Sequence, residues 1–398
     1  MRITSKLGKI VISLLVLTVI FNGNSAFSQA SDSTLSADTA LSFKEKADKF
    51  NAFMENAIIY IPVPIFSISK ETGKLFGLTK FNDFRIGVSA SDSGKVVTQP
   101  STVSALIYFT EKKQFKFNLE TDLMLDDNKN NIKSRLTYSS FPLLYYGIGN
   151  DTKKEDAVTV LFEKLEFEGS YMHMFKPKWY AGLSYSYSNS VNVEYFDSTE
   201  VSEIKDNYDV TENQGLTSGM GLLFTYEGRD NRLNAYSGSY INVEYNYYKN
   251  WLGSDFQYQH LLIDMRKYIS LIDSNKLILA GQLVGEFVSN EVNIQGMPAI
   301  GGPKGMRGIY YGRFRDLTAV SANLELRFPL FWIIGGTAFG GMGQVAPSLG
   351  DFAFNKNHYT YGGGLRLMIS SKNRVNLRLD FGFSGDDNSF VLGFSEAF

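Results

Sequence analysis

The sequence has no cysteine and only three histidines in 398 residues. The lack of cysteine excludes disulfides, thiolate metal sites and a lipid-modified cysteine anchor. Basic and acidic residues nearly balance, at 39 and 41, so no basic excess indicates a nucleic-acid partner. Beyond residue 28 there is no run of about 18 apolar residues, so no transmembrane helix is predicted. Aromatic residues, in contrast, make up 14% of the chain.

The first residues have the order of a secretory signal. A basic head precedes the apolar segment 10–21, and Ala26 and Ser28 are the small residues that a signal peptidase reads. This pattern predicts a cleavable signal over 1–28, with Gln29 as the first mature residue. An exported protein rich in aromatics, without long apolar helices, indicates a β-barrel in a Gram-negative outer membrane.

A short periplasmic leader, residues 29–57, is expected before the barrel. Within it Phe43, Ala47, Phe50 and Met54 recur at helical spacing and predict a short helix. This helix could cap the periplasmic mouth of the barrel, enter its lumen or act as a tether. The remaining residues, 58–398, are predicted to form the barrel.

Alternation with a period of two runs through the rest of the chain. In the segment KFNLETDL, Phe117, Leu119 and Leu123 share one face, while Glu120 and Asp122 lie on the other. A soluble β-sandwich could produce one such strand. Apolar residues on one face of nearly every long strand favour a membrane barrel, because lipid surrounds the outside and water fills the lumen.

The pattern predicts an all-β fold, a 16-stranded antiparallel transmembrane β-barrel. An even number of strands lets both ends of the barrel sequence face the periplasm. The predicted strands lie at 61–69, 73–81, 100–111, 113–125, 129–140, 157–174, 177–195, 214–228, 235–249, 253–268, 274–289, 317–330, 331–346, 357–371, 374–384 and 388–398.

One glycine- and arginine-rich segment, GGPKGMRGIYYGRFRD, joins predicted strands 11 and 12 and is therefore the sixth extracellular loop. It contains Gly301, Gly302, Arg307, Gly308 and Tyr310. Further matches are YYGIGND earlier in the chain, NLELRFPLF and residues 338–345 later in it, and VLGFSEAF at the C-terminal end. With them, the segment resembles the BamA/TamA-like outer-membrane assembly barrels, or bacterial surface antigen family. Their hallmark is an Arg-Gly loop followed by an aromatic residue at this connection.

The resemblance implies that the loop folds into the lumen and that acidic groups on the barrel wall hold Arg307. Glu325 matches the first acidic position of the family, and its parity on the strand directs it inward. The second acidic position is Gly341 in this chain, which leaves Arg307 one recognised partner. Asp380 is a further lumenal acid that could take part.

The first and last predicted strands suggest a weak seam in the barrel. Pro62 and Pro64 cannot donate ladder hydrogen bonds, and Gly393 lies in the last strand, which ends on Phe398. The family is thought to pass nascent barrels or lipids sideways through such an opening. The terminal aromatic also resembles the sorting signal of outer-membrane barrels.

The predicted function is therefore assistance in insertion or translocation of proteins or lipids at the outer membrane. The leader is too short for the periplasmic POTRA modules of the family, so periplasmic or outer-membrane assembly proteins are expected to act as partners, alongside membrane lipid. A passive channel is the alternative. No cofactor or metal is expected, and His173, His260 and His358 show no catalytic spacing, so an enzyme is not predicted.

Overall fold

The computed structural model describes residues 49, 61–69, 73–86, 98–195, 214–272, 277–289, 292–385 and 387–398. The predicted signal and leader lie outside these residues, apart from Lys49, which is helical. No helix among the described residues is long and apolar enough to cross a membrane.

Nineteen strands and three single-turn 3-10 helices make up the regular structure of the described residues. The 3-10 helices are Asn250–Leu252, Leu349–Asp351 and Phe354–Lys356. The strands are β1 Val63–Ser69, β2 Gly73–Phe84, β3 Ser101–Thr110, β4 Phe115–Leu125, β5 Asn130–Ser140, β6 Leu143–Tyr145, β7 Val158–Lys176, β8 Trp179–Tyr195, β9 Gly215–Glu227, β10 Gly238–Tyr248, β11 Tyr258–Ser270, β12 Ile278–Val288, β13 Ala299–Ile300, β14 Phe314–Arg315, β15 Thr318–Phe331, β16 Ile334–Ala346, β17 His358–Ser370, β18 Val375–Ser384 and β19 Asp387–Phe394.

The strands form one large antiparallel meander. In the described part of the chain, seventeen strands belong to one sheet, and β13 pairs only with β14. Sixteen of the seventeen follow one another as neighbours from β1 to β19, while the short β6 pairs with β7 beside β5. The predicted fold class and sixteen-strand meander are confirmed, and β6, β13 and β14 are additions that alternation could not predict.

Side-chain contacts bring the two ends of the meander together. The ring of Phe81 on β2 stacks on that of Phe394 on β19, with centroids 5.1 Å apart. Close by, the amide of Asn373 donates to Asp83 at 2.6 Å. Because β1 pairs with β2 only as far as Thr79, these contacts lie beyond the end of β1. The sheet therefore curls round on itself as a barrel.

Burial is inverted relative to a soluble protein. On β15, Leu324 is 60% exposed, whereas the neighbouring Glu325 is 1% exposed. On β9, Leu222 is exposed and Thr225 is buried. Water would penalise this arrangement, but lipid solvates an apolar outer face, and a polar lumen holds charges that pair with one another. The chemistry of interest therefore lies inside the barrel.

Two strand ends differ from prediction for local reasons. The tenth predicted strand begins at residue 253, but the corresponding β11 begins at Tyr258, because the turn Asn250–Leu252 ends on Gly253 in the left-handed region at φ 86°. The last strand was expected to reach Phe398, but β19 ends at Phe394. Ser395 follows with φ 61°, which turns the chain out of the ladder.

Phe398 consequently lies inside the protein and not in the seam strand, so the assignment of this residue to the seam is wrong. It packs in a buried cluster with Tyr268, Ala235, Ala280 and Ala397. Its backbone oxygen accepts a hydrogen bond of 3.0 Å from Nη2 of Arg327. An aromatic side chain with buried apolar neighbours is better placed here than at an exposed sheet edge.

The substitution Phe398→Ala should lower the free energy of unfolding by about 3 kcal/mol or more, because it leaves a cavity among buried side chains. Phe390→Ala is the matched control, since Phe390 is 56% exposed on the outer face. Denaturant midpoints in detergent micelles, followed by tryptophan fluorescence, measure the difference. Equal losses for the two variants would contradict the buried position of Phe398.

Candidate functional site

The connection between β12 and β15, residues 289–317, is built as a rigid loop. Its base is the short hairpin of β13 and β14, in which Ala299 pairs with Arg315 and Ile300 with Phe314. Gly301, at φ 109°, lies directly after β13, where a side chain would be strained. Inside the hairpin, Met306 and Ile309 are buried in a cluster that includes Phe314. The loop thus carries an apolar core of its own.

This core directs Arg307 into the barrel wall, where it is 2% exposed. Its Nη2 lies 2.6 Å from Oε2 of Glu325 on β15, and its Nη1 donates to Oδ2 of Asp380 on β18 at 2.8 Å. The guanidinium also lies over the ring of Phe339 on β16, 3.6 Å from the centroid. A guanidinium withdrawn from water needs such charge-assisted partners.

Glycines let the loop backbone approach the wall closely. A Cβ at Gly382 on β18 would lie 2.5 Å from the carbonyl carbon and oxygen of Arg307. Gly308, at φ 119°, has the backbone of Phe383 within 2.8 Å of the position of its missing Cβ. The amide of Gly308 donates to Oγ of Ser389 on β19 at 2.9 Å. The loop is therefore held against the last two strands by its backbone as well as by Arg307.

Arg307 belongs to a larger buried network, called here the Arg307 cluster. In the described residues it joins four arginines to three carboxylates. Arg327 donates Nε to Glu325 at 2.7 Å, and Arg366 bridges Asp380 and Glu396. The members are Arg307, Arg327, Arg366, Arg378, Glu325, Asp380 and Glu396. Each of the three carboxylates therefore lies within ion-pair distance of at least two guanidinium groups.

A second extracellular segment of the predicted barrel, residues 141–157, supports the outer part of the loop. Arg313 donates from Nη1 and Nη2 to Thr152 at 2.7 and 2.6 Å, and it lies over the ring of Tyr146. The amide of Gly149 donates to the carbonyl oxygen of Arg315 at 2.8 Å. Residues 141–157, which include YYGIGND, thus hold the outer part of the loop in place and are called the bracket here.

The residues predicted for the loop site come together in part. Gly301 and Gly302, at φ 109° and 88°, shape the turn after β13. The ring centroid of Tyr310 lies 6.2 Å from that of Tyr146, so Tyr310 contacts the bracket, and it is 41% exposed. Arg307 meets Glu325. The sequence left the second acidic partner open between none and a lumenal acid such as Asp380, and Asp380 supplies that second carboxylate.

The position of Gly341 explains why the second acid lies elsewhere. A Cβ at Gly341 would lie 2.5 Å from Oδ1 of Asn323, so an acidic side chain at that point would have to displace the side chain of Asn323. On β18, Asp380 and Gly382 share the inward face, the acid to bind Arg307 and the glycine to admit its backbone. An acid two residues before a glycine on an alternating strand is the signal that could have identified Asp380.

Of the residues predicted for the seam, Pro64 and Gly393 lie in the first and last strands, whereas Pro62 and Phe398 lie outside them. Pro62 precedes β1, and Pro64 pairs with Leu78 within it. Gly393 lies in β19 opposite Arg378. No backbone pairing between β1 and β19 is present in the described parts of those strands. Side chains therefore make the contacts described above between the ends of the sheet.

The lumen beside the loop is charged but holds no group of three His, Cys, Asp or Glu residues that could bind a metal, as far as the described residues extend. On the wall, Arg135 bridges Glu120 at 3.1 Å and Glu168 at 2.9 Å. This half of the lumen has ion pairs that solvent reaches, unlike the buried Arg307 cluster.

The fold and the site define an outer-membrane type of β-barrel whose longest described connection folds inward and is fixed by a buried arginine. The chain belongs to the Omp85 superfamily, whose domain model matches residues 82–398. Barrels of this family are outer-membrane proteins. No curated protein matches the chain.

Solved structures with similar barrels share little sequence with this chain. CdiB from Acinetobacter baumannii is 11% identical, with a TM-score of 0.51, over 84% of this chain and 58% of that one. BamA from Haemophilus ducreyi lacking POTRA domains 1–3 is 13% identical, with a TM-score of 0.48, over 92% and 79%. CdiB from Escherichia coli is 9% identical, with a TM-score of 0.48, over 88% and 69%. The match to the first of these supports the barrel fold.

Gly382→Ala should displace the loop from the wall, because its methyl group would overlap the backbone of Arg307. We expect a lower temperature at which the folded band is lost in semi-native SDS gels. Gly340→Ala is the matched control, since the nearest atom to its added Cβ is 3.5 Å away. A folded Gly382→Ala barrel with unchanged melting temperature and protease resistance of the loop would contradict this close contact.

Proposed function

We propose that the chain assists the insertion or translocation of proteins at the outer membrane, as a barrel whose inward loop is held by Arg307. The observation that carries this proposal is the buried contact of Arg307 with carboxylates from two separate strands, within a barrel of the Omp85 superfamily. Such a contact fixes one arrangement of loop and wall. It also breaks as a unit, because a single unpaired buried charge is costly.

The seam between β1 and β19 is the proposed route toward the membrane. Pro64 lacks an amide hydrogen, and the described parts of the two strands share no backbone ladder. A wall joined there by side chains needs less free energy to open than one joined by a full ladder. We propose that nascent proteins, and lipid with them, pass sideways through this opening.

The remaining parts of the proposal concern export and partners. Residues 1–28 would direct export and be removed, and residues 29–57 would form the leader before the barrel at 58–398. Periplasmic or outer-membrane assembly proteins would deliver clients to the barrel, and outer-membrane lipid would surround it. The passive channel remains the second candidate, because ion pairs such as Arg135 with Glu120 line a solvated half of the lumen.

Removal of the Arg307 side chain tests the loop's part in the proposal. In planar bilayers the wild-type barrel should show small, unstable conductance, and Arg307→Ala should enlarge it, because the freed loop no longer fills the lumen. Arg313→Ala is the control, since it removes an equal charge from the same loop but contacts Thr152. A large, steady wild-type conductance that neither change affects would favour the passive channel.

A cross-link at the seam tests the lateral route. The chain has no cysteine, so the double variant Phe81→Cys with Phe394→Cys offers a unique pair at the two sheet ends. A short bis-maleimide linker should abolish insertion of an unfolded reporter barrel into liposomes that contain this protein.

The control pair is Leu222→Cys with Tyr245→Cys, which face each other on the paired strands β9 and β10. Its cross-link should leave insertion unchanged. Full insertion by the barrel with the linked seam would refute the lateral route.

A further inference from the structure

The connection between β9 and β10, residues 228–237, crosses the end of the barrel opposite the Arg307 loop. The Arg232 side chain is 7% exposed, and its Nη2 lies 2.6 Å from Oδ2 of Asp122 on β4. Gln99, just before β3, accepts from the amide of Arg232 at 3.2 Å and donates to the carbonyl oxygen of Arg229 at 3.3 Å. The loop is thereby attached to the part of the wall that follows β2.

The same loop is attached to the last strands of the barrel. Asn231 donates Nδ2 to the carbonyl oxygen of Asn373, in the turn between β17 and β18, at 3.1 Å. Asp230 pairs with Arg374 in that turn. The amide of Glu396, directly beyond β19, lies 3.4 Å from the carbonyl oxygen of Leu233. One loop therefore binds both sides of the junction between the two ends of the sheet.

We propose that residues 228–237 and 395–398 form a clasp that keeps the seam closed, and that Glu396 links the clasp to the Arg307 cluster. In the described residues, the direct contacts across the junction include Asn373 with Asp83 and Arg85, at 2.6 and 2.7 Å, and Ser370 with Asp83, at 3.2 Å. The ring of Phe81 also stacks on that of Phe394. The clasp adds a buried charged pair and several hydrogen bonds that span the same junction. Opening the seam at this end requires breaking them.

Glu396 has the contacts that such a link needs. Its Oε2 accepts from Nε of Arg366 at 2.7 Å, and its Oε1 accepts from Asn376 at 2.7 Å. Arg366 also pairs with Asp380, the carboxylate that binds Arg307. Once Arg307 leaves, Asp380 and Glu325 lack one cation and draw Arg366 more strongly. The hold of Arg366 on Glu396 weakens, and with it the hold on the end of β19.

This inference goes beyond the proposed function because it concerns the barrel alone, and it is tested without any client. Hydrogen–deuterium exchange of the purified barrel in detergent reports local opening of each strand. Arg232→Ala and Glu396→Gln should each raise exchange of the β19 amides by about tenfold or more, because each removes one side of a buried pair. Exchange in β7, far from the junction, is the internal reference.

Arg135→Ala is the matched control, because it also removes a lumenal arginine with two carboxylate partners but lies on β5. It should leave β19 exchange unchanged. If Arg232→Ala does not fold, Arg374→Ala replaces it in the test, because it removes the more exposed ion pair of the clasp, that of Arg374 with Asp230. Unchanged β19 exchange in the folded clasp variants would overturn the clasp, whatever the outcome of the insertion assay.

The link is tested by combining Arg307→Ala with Glu396→Gln. If Arg307 acts on β19 through Glu396, the double variant should exchange little faster than Glu396→Gln alone. If the two substitutions instead raise the β19 exchange rate by factors that multiply in the double variant, they act at independent sites. That result would overturn the link and leave the clasp itself supported.

Discussion

A guanidinium buried in the wall of a barrel must find carboxylates, and the position of the long loop depends on this requirement. Arg307 meets Glu325 on β15 and Asp380 on β18, and its guanidinium lies over the ring of Phe339 on β16. Since an unpaired charge at this depth costs several kcal/mol, loop and wall have one favourable arrangement. The glycines at 308 and 382 make the approach sterically possible.

The inverted burial of the barrel explains why charges hold the interior together. A soluble protein uses apolar side chains for its core, but here those side chains face lipid on the outer surface. The lumen is left with polar residues, which stabilise each other through networks, as Arg366 does by joining Asp380 to Glu396. Fixed segments within the lumen therefore depend on hydrogen bonds and ion pairs in addition to apolar clusters such as that of Met306 and Ile309.

Much of this architecture follows from the alternation of the sequence. The alternation of apolar and polar residues predicts where the strands lie. It also predicts that Glu325 faces the lumen, because a strand has only two faces. Asp380 could be recognised as lumenal by the same rule, but its pairing with Arg307 depends on how far the loop reaches across the wall. Comparison with the family pattern indicated that the second acidic residue is replaced by Gly341. The barrel wall instead supplies Asp380 from β18, where Gly382 leaves room for the loop backbone.

The inward course of residues 396–398 could not be predicted from alternation. The strand ends just before Ser395, which has a positive φ, but serine also occurs within strands and so does not mark a strand end in the sequence. The crossing of residues 228–237 was also missed. Its sequence, GRDNRLNAYS, is typical of an ordinary turn, and nothing local shows that Arg232 finds Asp122 on a strand far along the chain. Both features depend on the closure of the sheet, which brings distant segments to one end of the barrel.

The sharing of each carboxylate among several guanidinium groups gives the Arg307 cluster a property that an apolar contact would lack. An apolar plug loses its contacts gradually as it is withdrawn, and the exposed surface has no new partner in a polar lumen. In the cluster, Arg327 and Arg366 already lie against the carboxylates that Arg307 uses, so they can neutralise Glu325 and Asp380 when the loop departs. The held and released states of the loop can therefore both keep the buried carboxylates paired, which makes a strongly bound loop compatible with a reversible change.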